Sequence, residues 1–198
     1  MASNLAQFFT AGGDGVSPGV GFFGYATGKY YGPSVLPAAA ITRTLDANRV
    51  YYSPFWSQEA HSFTGISVQQ TNAAPTGNVR LGVYNNSAGA PGSILIDAGV
   101  VAFPGSTGIR TVTATITLAA RTAYWLAFVS DAAVNALGAE ATGGQTVMAS
   151  LGSYSTLYIA QNGFYGGTYA AFTYGALPST ATAPTLNADV TPYVVLKG

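Results

Sequence analysis

The sequence predicts an all-β protein, an antiparallel β-sandwich of jelly-roll type with an extended Gly/Pro-rich N-terminal arm. Several short segments alternate apolar and polar residues with a period of two, the pattern of strands with one buried face. Turn-forming residues recur about every ten positions, which favours a sandwich over β-α-β units. Within the body, only residues 132–141 show a weak helical pattern, and Gly138 interrupts it, so we expect a loop or short turn there.

The arm is assigned to residues 1–40, and the sandwich body to residues 41–198. Gly and Pro recur through the arm and interrupt every regular pattern. Residues 4–9 could form a helical turn or two, with Ser3 as the N-cap. Such a stretch cannot fold alone, so it must lie against the body or a partner. The candidate attachment residues are Leu5, Phe8, Phe9, Phe22, Phe23 and Tyr25.

The body begins to show strand patterns from Ile41 onward, with turns predicted by composition at residues 85–92 and 104–108. Alternation is clear in some segments, whereas others are recognised by their β-branched and aromatic content. The predicted strands are residues 49–52, 63–70, 78–84, 94–101, 110–118 and 122–130, followed by less regular ones at 146–151, 156–160 and 193–197.

Two consecutive segments give the clearest strand signals. Residues 110–118 place Val112, Ile116 and other apolar residues on one side and four threonines on the other, as in a half-buried antiparallel strand. Residues 122–130 are apolar on both faces, which is typical of a strand in the centre of a sheet. We therefore expect 122–130 to be flanked by strands on both sides.

Charged residues are few: seven Lys or Arg and seven Asp or Glu, with a net charge of zero. Nucleic-acid binding depends on clustered Lys and Arg that neutralise phosphates, so we expect no nucleic-acid partner. No apolar run reaches the roughly 18 residues of a membrane-spanning helix, so we expect no membrane insertion. The N-terminal stretch also lacks the pattern of a secretory signal. Proteins with so little charge tend to associate, which favours an assembly.

The sequence contains little material for catalysis. It has one histidine, His61, and no cysteine, so the usual zinc ligand sets cannot be assembled. A glycosidase would need two carboxylates across a cleft, but the acids are dispersed and lie near turn signals. We predict no catalytic residue, no cofactor and no metal site, and leave calcium binding by a loop open. The acids are Asp14, Asp46, Glu59, Asp97, Asp131, Glu140 and Asp189.

Aromatic side chains are the remaining signal, with 13 Tyr, 10 Phe and 2 Trp. Tyr joins an apolar ring to a hydroxyl that prefers water, which suits interfaces and recognition surfaces. Three interpretations stay open for the cluster between residues 154 and 174: a subunit interface, a contact with a glycan or receptor, and packing within one chain. Its members are Tyr154, Tyr158, Phe164, Tyr165, Tyr169, Phe172 and Tyr174.

Two segments carry a family resemblance: NVRLGVYNNSAGAPGSILIDAG at 78–99 and TVTATITLAARTAYWLAFVSD at 111–131. Together they resemble a β-sandwich module of tailed-bacteriophage virion proteins, both tail-fibre-like and head-decoration-like. The resemblance implies that Pro91 and Gly92 form the turn between two strands. It carries over no binding residue, because the shared motif is structural. The core that it implies includes Val79, Leu81, Val83, Ile116, Leu118, Trp125, Ala127 and Val129.

The resemblance also implies a non-enzymatic structural protein on the surface of a virion. Such a protein would attach to other virion proteins through the arm and present the body outward, with a host surface glycan as a candidate partner. A tail fibre or tail tip and a capsid decoration are both open, and analogy with such assemblies favours a homotrimer. The alternative is a glycan-binding module of a bacterial or phage surface protein, which would use the aromatic residues between 154 and 174.

Overall fold

The computed structural model describes residues 24–33, 40–72, 75–139, 168–186 and 191–198. The regular structure in these ranges is β-strand, in agreement with the all-β prediction. The strands are β1 (Tyr30–Tyr31), β2 (Ala40–Leu45), β3 (Arg49–Ser57), β4 (His61–Gln70), β5 (Gly77–Ser87), β6 (Ala90–Phe103), β7 (Gly108–Leu118), β8 (Thr122–Ser130), β9 (Val134–Ala139), β10 (Thr168–Ala171), β11 (Thr185–Leu186), β12 (Thr191–Pro192) and β13 (Val195–Lys197).

Within the described residues, the strands form two antiparallel sheets that pack face to face. The six-stranded sheet has the order β11-β10-β3-β8-β5-β6. In the seven-stranded sheet, β4 pairs with β7, β13 and β9. β1 pairs with β13, and β2 and β12 pair with β9.

The pairing from β2 to β9 is that of a jelly roll. β2 pairs with β9, β3 with β8, β4 with β7, and β5 with β6. Successive strands alternate between the two sheets, except at the β5–β6 hairpin. The chain is therefore a long antiparallel hairpin rolled into a sandwich, and the prediction of a jelly-roll-like sandwich is confirmed.

β7 has the two faces that its sequence predicts. Val112 and Ile116 belong to the core between the sheets, whereas Thr113, Thr115 and Thr117 are exposed. Alternate side chains of a strand point to opposite faces, so a period of two separates buried from exposed residues here.

β8 lies between β3 and β5, in the centre of the six-stranded sheet. Leu126 and Phe128 contribute to the core between the sheets, and Trp125 and Ala127 form part of a second buried cluster. Because both faces of the strand are buried, the continuous apolar run of residues 122–130 is explained.

The prediction of a loop or short turn at residues 132–141 is wrong. Residues Val134–Ala139 form β9, which pairs with β2 along its whole length. Val134 and Ala136 are buried in the core. The segment escaped the sequence pattern because Ala and Gly are weak β-formers, and cross-strand pairing decides the conformation here.

The turn implied at Pro91 and Gly92 is also wrong. Ser87 pairs with Ala90, so the hairpin between β5 and β6 turns through Ala88 and Gly89. Both residues have positive φ, 49° and 87°, as a type I′ turn requires. The resemblance named the wrong pair, whereas the wider turn that composition predicts at residues 85–92 contains Ala88 and Gly89.

Candidate functional site

A second buried cluster lies on the outer face of the six-stranded sheet, away from the core between the sheets. Tyr52 of β3, Tyr84 of β5 and Trp125 of β8 are its large aromatic residues. The rings of Tyr52 and Tyr84 meet edge to face, with centroids 5.4 Å apart. Residues 172–181, which we name the covering segment, pack over this face through Leu177 and its neighbours.

Backbone hydrogen bonds hold both ends of the covering segment. At its start, Phe172 N donates to Asn48 O at 3.0 Å, and Tyr174 N donates to Asn48 Oδ1 at 2.9 Å. At its end, Ile94 N of β6 donates to Ser179 O at 2.9 Å. Asn48 has a φ of 57° in the turn before β3, a left-handed conformation that Asn tolerates better than most residues.

Side chains of the sheet hold the middle of the covering segment. The Tyr84 hydroxyl donates to Pro178 O at 2.9 Å, and Leu177 N donates to Asp97 Oδ2 at 3.0 Å. Asp97 also forms a half-buried ion pair with Arg80 on the adjacent strand. The covering segment is therefore bonded to β5 and β6 as well as packed on them.

Leu177 occupies space that Gly82 of β5 leaves open. A Cβ added at Gly82 would lie 2.4 Å from Leu177 Cδ1 and 2.7 Å from Ile96 O. Real Cβ atoms do not approach other atoms so closely. The close approach of the β6 backbone at Ile96 O favours a glycine here, and the space that Gly82 leaves is filled by the end of the Leu177 side chain.

Burial extends to higher pH the range over which the two tyrosine hydroxyls stay protonated. Burial raises the pKa of Tyr52 from 10.0 to about 12. Burial also raises the pKa of Tyr84, with contributions from the neighbouring Tyr52 and Asp97. A protonated phenol donates, which matches the bond from Tyr84 to Pro178 O.

The structure describes three of the predicted aromatic residues, Tyr169, Phe172 and Tyr174. Phe172 and Tyr174 are half-buried in the covering segment and pack against the second cluster. Tyr169 is in β10, where it pairs with Tyr51 of β3. The contacts of Phe172 and Tyr174 are therefore with their own chain, and their half-exposed rings leave the three interpretations of the cluster open. The other four predicted residues, Tyr154, Tyr158, Phe164 and Tyr165, lie outside the described residues.

Part of the predicted arm lies on the body. β1 pairs with β13, and the Tyr25 ring lies 4.8 Å from Phe63 of β4. Tyr25 also accepts a hydrogen bond from Gln58 N at 3.1 Å, so this candidate attachment residue contacts the chain's own body. The other attachment candidates, Leu5, Phe8, Phe9, Phe22 and Phe23, lie outside the described residues.

His61 is half-buried in the same aromatic group, with ring centroids 4.9 Å from Tyr25 and 4.7 Å from Phe63.

Several of the carboxylates in the described ranges have structural partners. Asp46 forms an ion pair with Arg49 at 2.5 Å, and Asp131 accepts two bonds of 2.7 Å from Asn78. Across the described ranges, no three His, Cys, Asp or Glu side chains come together in a metal-binding arrangement.

The remaining candidate surface is an edge of the sandwich that the sequence interpretation did not single out. Ile109 near the start of β7 is 50% exposed, the largest value among the exposed large apolar side chains of the described residues. Ile109 occupies the same alternating set as the exposed threonines of β7. In the sequence, the signal for this edge is one apolar residue, Ile109, that precedes a series of alternating threonines.

Comparisons with known proteins add no relative. No protein-family model, no curated protein and no solved structure matches the chain. Among the residues that the structure describes, no helix has the length and apolar character to cross a membrane.

Proposed function

We propose that the chain is a non-enzymatic structural protein of a tailed-phage particle. It attaches to other virion proteins through its N-terminal segment and presents the jelly-roll body on the particle surface. The organisation of the N-terminal region carries the proposal. Residues 24–33 are bound to the body, and 23 further residues precede them in the sequence.

Because residues 24–33 are bound to the body, the N-terminal segment is anchored where it meets the body. Gly28 N donates to Gly198 O at 2.8 Å, and Gly198 N donates to Lys29 O at 2.9 Å. These bonds continue the pairing of β1 with β13. A segment held in this way transmits load from its attachment point to the body, which suits a surface-exposed virion protein.

The composition also supports a structural role. Fourteen charged residues, seven of each sign, leave the chain without net charge. Such a surface gives little electrostatic repulsion between neighbouring copies in an array. The outer face of β7 bears threonines rather than Lys or Glu, which lets neighbours approach without the cost of burying charge.

Two truncations test the proposal. Removing residues 2–23 keeps Tyr25 and β1, so we expect a folded body that no longer joins particles. Removing residues 2–32 also removes Tyr25 and β1, so we expect lower stability in addition. Incorporation is measured in purified particles assembled with each variant, and folding by circular dichroism and thermal unfolding.

The full-length chain, produced in the same way, is the control for incorporation. Normal incorporation of the chain that lacks residues 2–23 would overturn attachment through the N-terminal segment. Absence of the full-length chain from purified particles would overturn the virion role itself.

A further inference from the structure

The middle of the covering segment is held differently from its ends. Backbone hydrogen bonds fix the segment at Phe172 and at Ser179. Between these points, residues 175–178 form no backbone–backbone hydrogen bond with the other described residues, and only Leu177 among them is buried. A stretch with one buried side chain and no backbone pairing has little stability of its own.

Two side chains of the sheet supply the polar contacts of this middle stretch. Asp97 of β6 accepts a hydrogen bond from Leu177 N at 3.0 Å, and Tyr84 of β5 donates to Pro178 O at 2.9 Å. The Asp97 oxygen that accepts from Leu177, Oδ2, is also the one that pairs with Arg80. Both contacts can therefore break while every strand pairing of the two sheets is kept.

The closed arrangement leaves two polar atoms of the ion pair unsatisfied. Asp97 Oδ1 and Arg80 Nε are buried and have no hydrogen-bond partner. A buried polar atom without a partner costs free energy, which is recovered when water reaches the atom. Opening of the stretch above the pair would admit water to both atoms. The free-energy difference between the open and closed states is therefore smaller than for a fully bonded cover.

We propose that residues 175–178 form a lid, which opens over the Arg80–Asp97 pair while both sheets and both ends of the covering segment stay in place. Asp97 is the latch of this lid, because it binds the backbone of the only buried residue in the stretch. The open state uncovers the ion pair and the Tyr84 hydroxyl on the outer face of the six-stranded sheet. The inference concerns the body alone and holds whether or not the virion role does.

Native-state hydrogen exchange of the full-length chain, followed by NMR at neutral pH in low concentrations of urea, measures the opening. The reference amides are those of Leu126 and Phe128 in β8, which is paired on both sides. We expect the protection of the Leu177 amide to be lower than theirs by about tenfold or more. We also expect its exchange to depend less on urea, because a local opening exposes less surface than global unfolding.

Asp97→Asn tests the latch. The amide keeps an oxygen that can accept from Leu177 N, but it loses the charge that strengthens this bond and pairs with Arg80. We expect the Leu177 amide to exchange about tenfold faster than in the wild type. Glu59→Gln is the matched control, since it makes the same chemical change in the turn between β3 and β4, beside Gly24. We expect this variant to leave the exchange of Leu177 unchanged.

Tyr84→Phe is the second variant, and it keeps the ion pair intact. It removes the donor to Pro178 O, so the Leu177 amide should again exchange faster, and this test stands even if Asp97→Asn does not fold. Circular dichroism checks the fold of each variant. Exchange of Leu177 with the same protection and urea dependence as the β8 amides would overturn the lid. Equal acceleration by Asp97→Asn and Glu59→Gln, or no acceleration by Asp97→Asn or by Tyr84→Phe, would overturn the latch.

Discussion

The two outer faces of the sandwich are built differently. The six-stranded sheet bears Tyr84, Trp125 and other apolar residues outward and is covered by residues 172–181. The seven-stranded sheet bears hydroxyls on β7, such as Thr113 and Thr115, which are exposed. Ser62 and Thr117 on this face share a hydrogen bond of 2.8 Å between their hydroxyls. Within the described residues, one face therefore gains a third layer, and the β7 part of the other meets solvent.

The difference shows how a chain with few charges can bury its apolar residues. A two-layer sandwich offers one interior, between its sheets. The covering segment creates a second interior outside the six-stranded sheet, without a helix or a further sheet. On the opposite face, the threonine hydroxyls of β7 let this strand face solvent without a charged side chain. We expect substitutions to have large effects on the covered face and small effects on the open one.

The largest effect is expected for Trp125→Ala. Trp125 is 6% exposed, and its Nε1 donates to Asn86 Oδ1 at 3.0 Å. Removing a buried Trp leaves a cavity, and we expect a loss of about 3–5 kcal/mol in the free energy of unfolding. The measurement is urea unfolding followed by circular dichroism.

Thr115→Ala on the open face is the control for this prediction. We expect a change within about 0.5 kcal/mol, because the side chain is exposed and has no buried partner to lose. Equal losses of unfolding free energy in the two variants would mean that the covered face does not behave as a buried interior.

The next effect is a loss of stability at alkaline pH. Burial raises the pKa of Tyr52 to about 12 from 10.0, so the folded chain keeps a proton that the unfolded chain releases. The stability due to this shift is complete below pH 10 and is lost as the pH rises toward 12. Two pKa units correspond to about 3 kcal/mol, which sets the upper size of the effect.

Urea unfolding at a series of pH values measures this loss. Tyr52→Phe removes the titrating group, so we expect a shallower decline above pH 10. Comparing both proteins at neutral pH first separates the pH effect from any cost of the substitution itself. An identical decline in the wild type and the variant would assign the alkaline loss to other groups.

The sequence predicts the two-sheet architecture better than it predicts the covered face. Alternation in β5 correctly places Val79, Leu81 and Val83 on the core side and Gly82 and Tyr84 on the other. The hydrophobic periodicity of a strand shows only that its two faces differ in polarity. It cannot report that a distant segment covers one of them, because that contact is tertiary. The same limit explains β9, whose strand conformation comes from its partners rather than from its own residues.

The candidate surfaces were predictable to different degrees. The aromatic rings of Phe172 and Tyr174 stand out in the sequence, but composition does not distinguish packing within one chain from an interface. Ile109 does not stand out in the sequence, because a single apolar residue among threonines is a weak signal. Its significance depends on β7 being an edge strand, which the pairing of the sheets decides.

The smallest effects compare one hydroxyl deleted from each face. Tyr84→Phe removes the donor to Pro178 O, and we expect a loss of about 0.5–1.5 kcal/mol, since a part-buried hydrogen bond is lost. Thr115→Val keeps the β-branched shape on the open face, and we expect a change below about 0.5 kcal/mol. Both variants remove a hydroxyl and keep most of the side-chain shape, so the comparison isolates the environment. Urea unfolding at neutral pH measures both, and a Tyr84→Phe loss as small as that of Thr115→Val would show that packing alone, without the hydroxyl bond, holds the covering segment on its sheet.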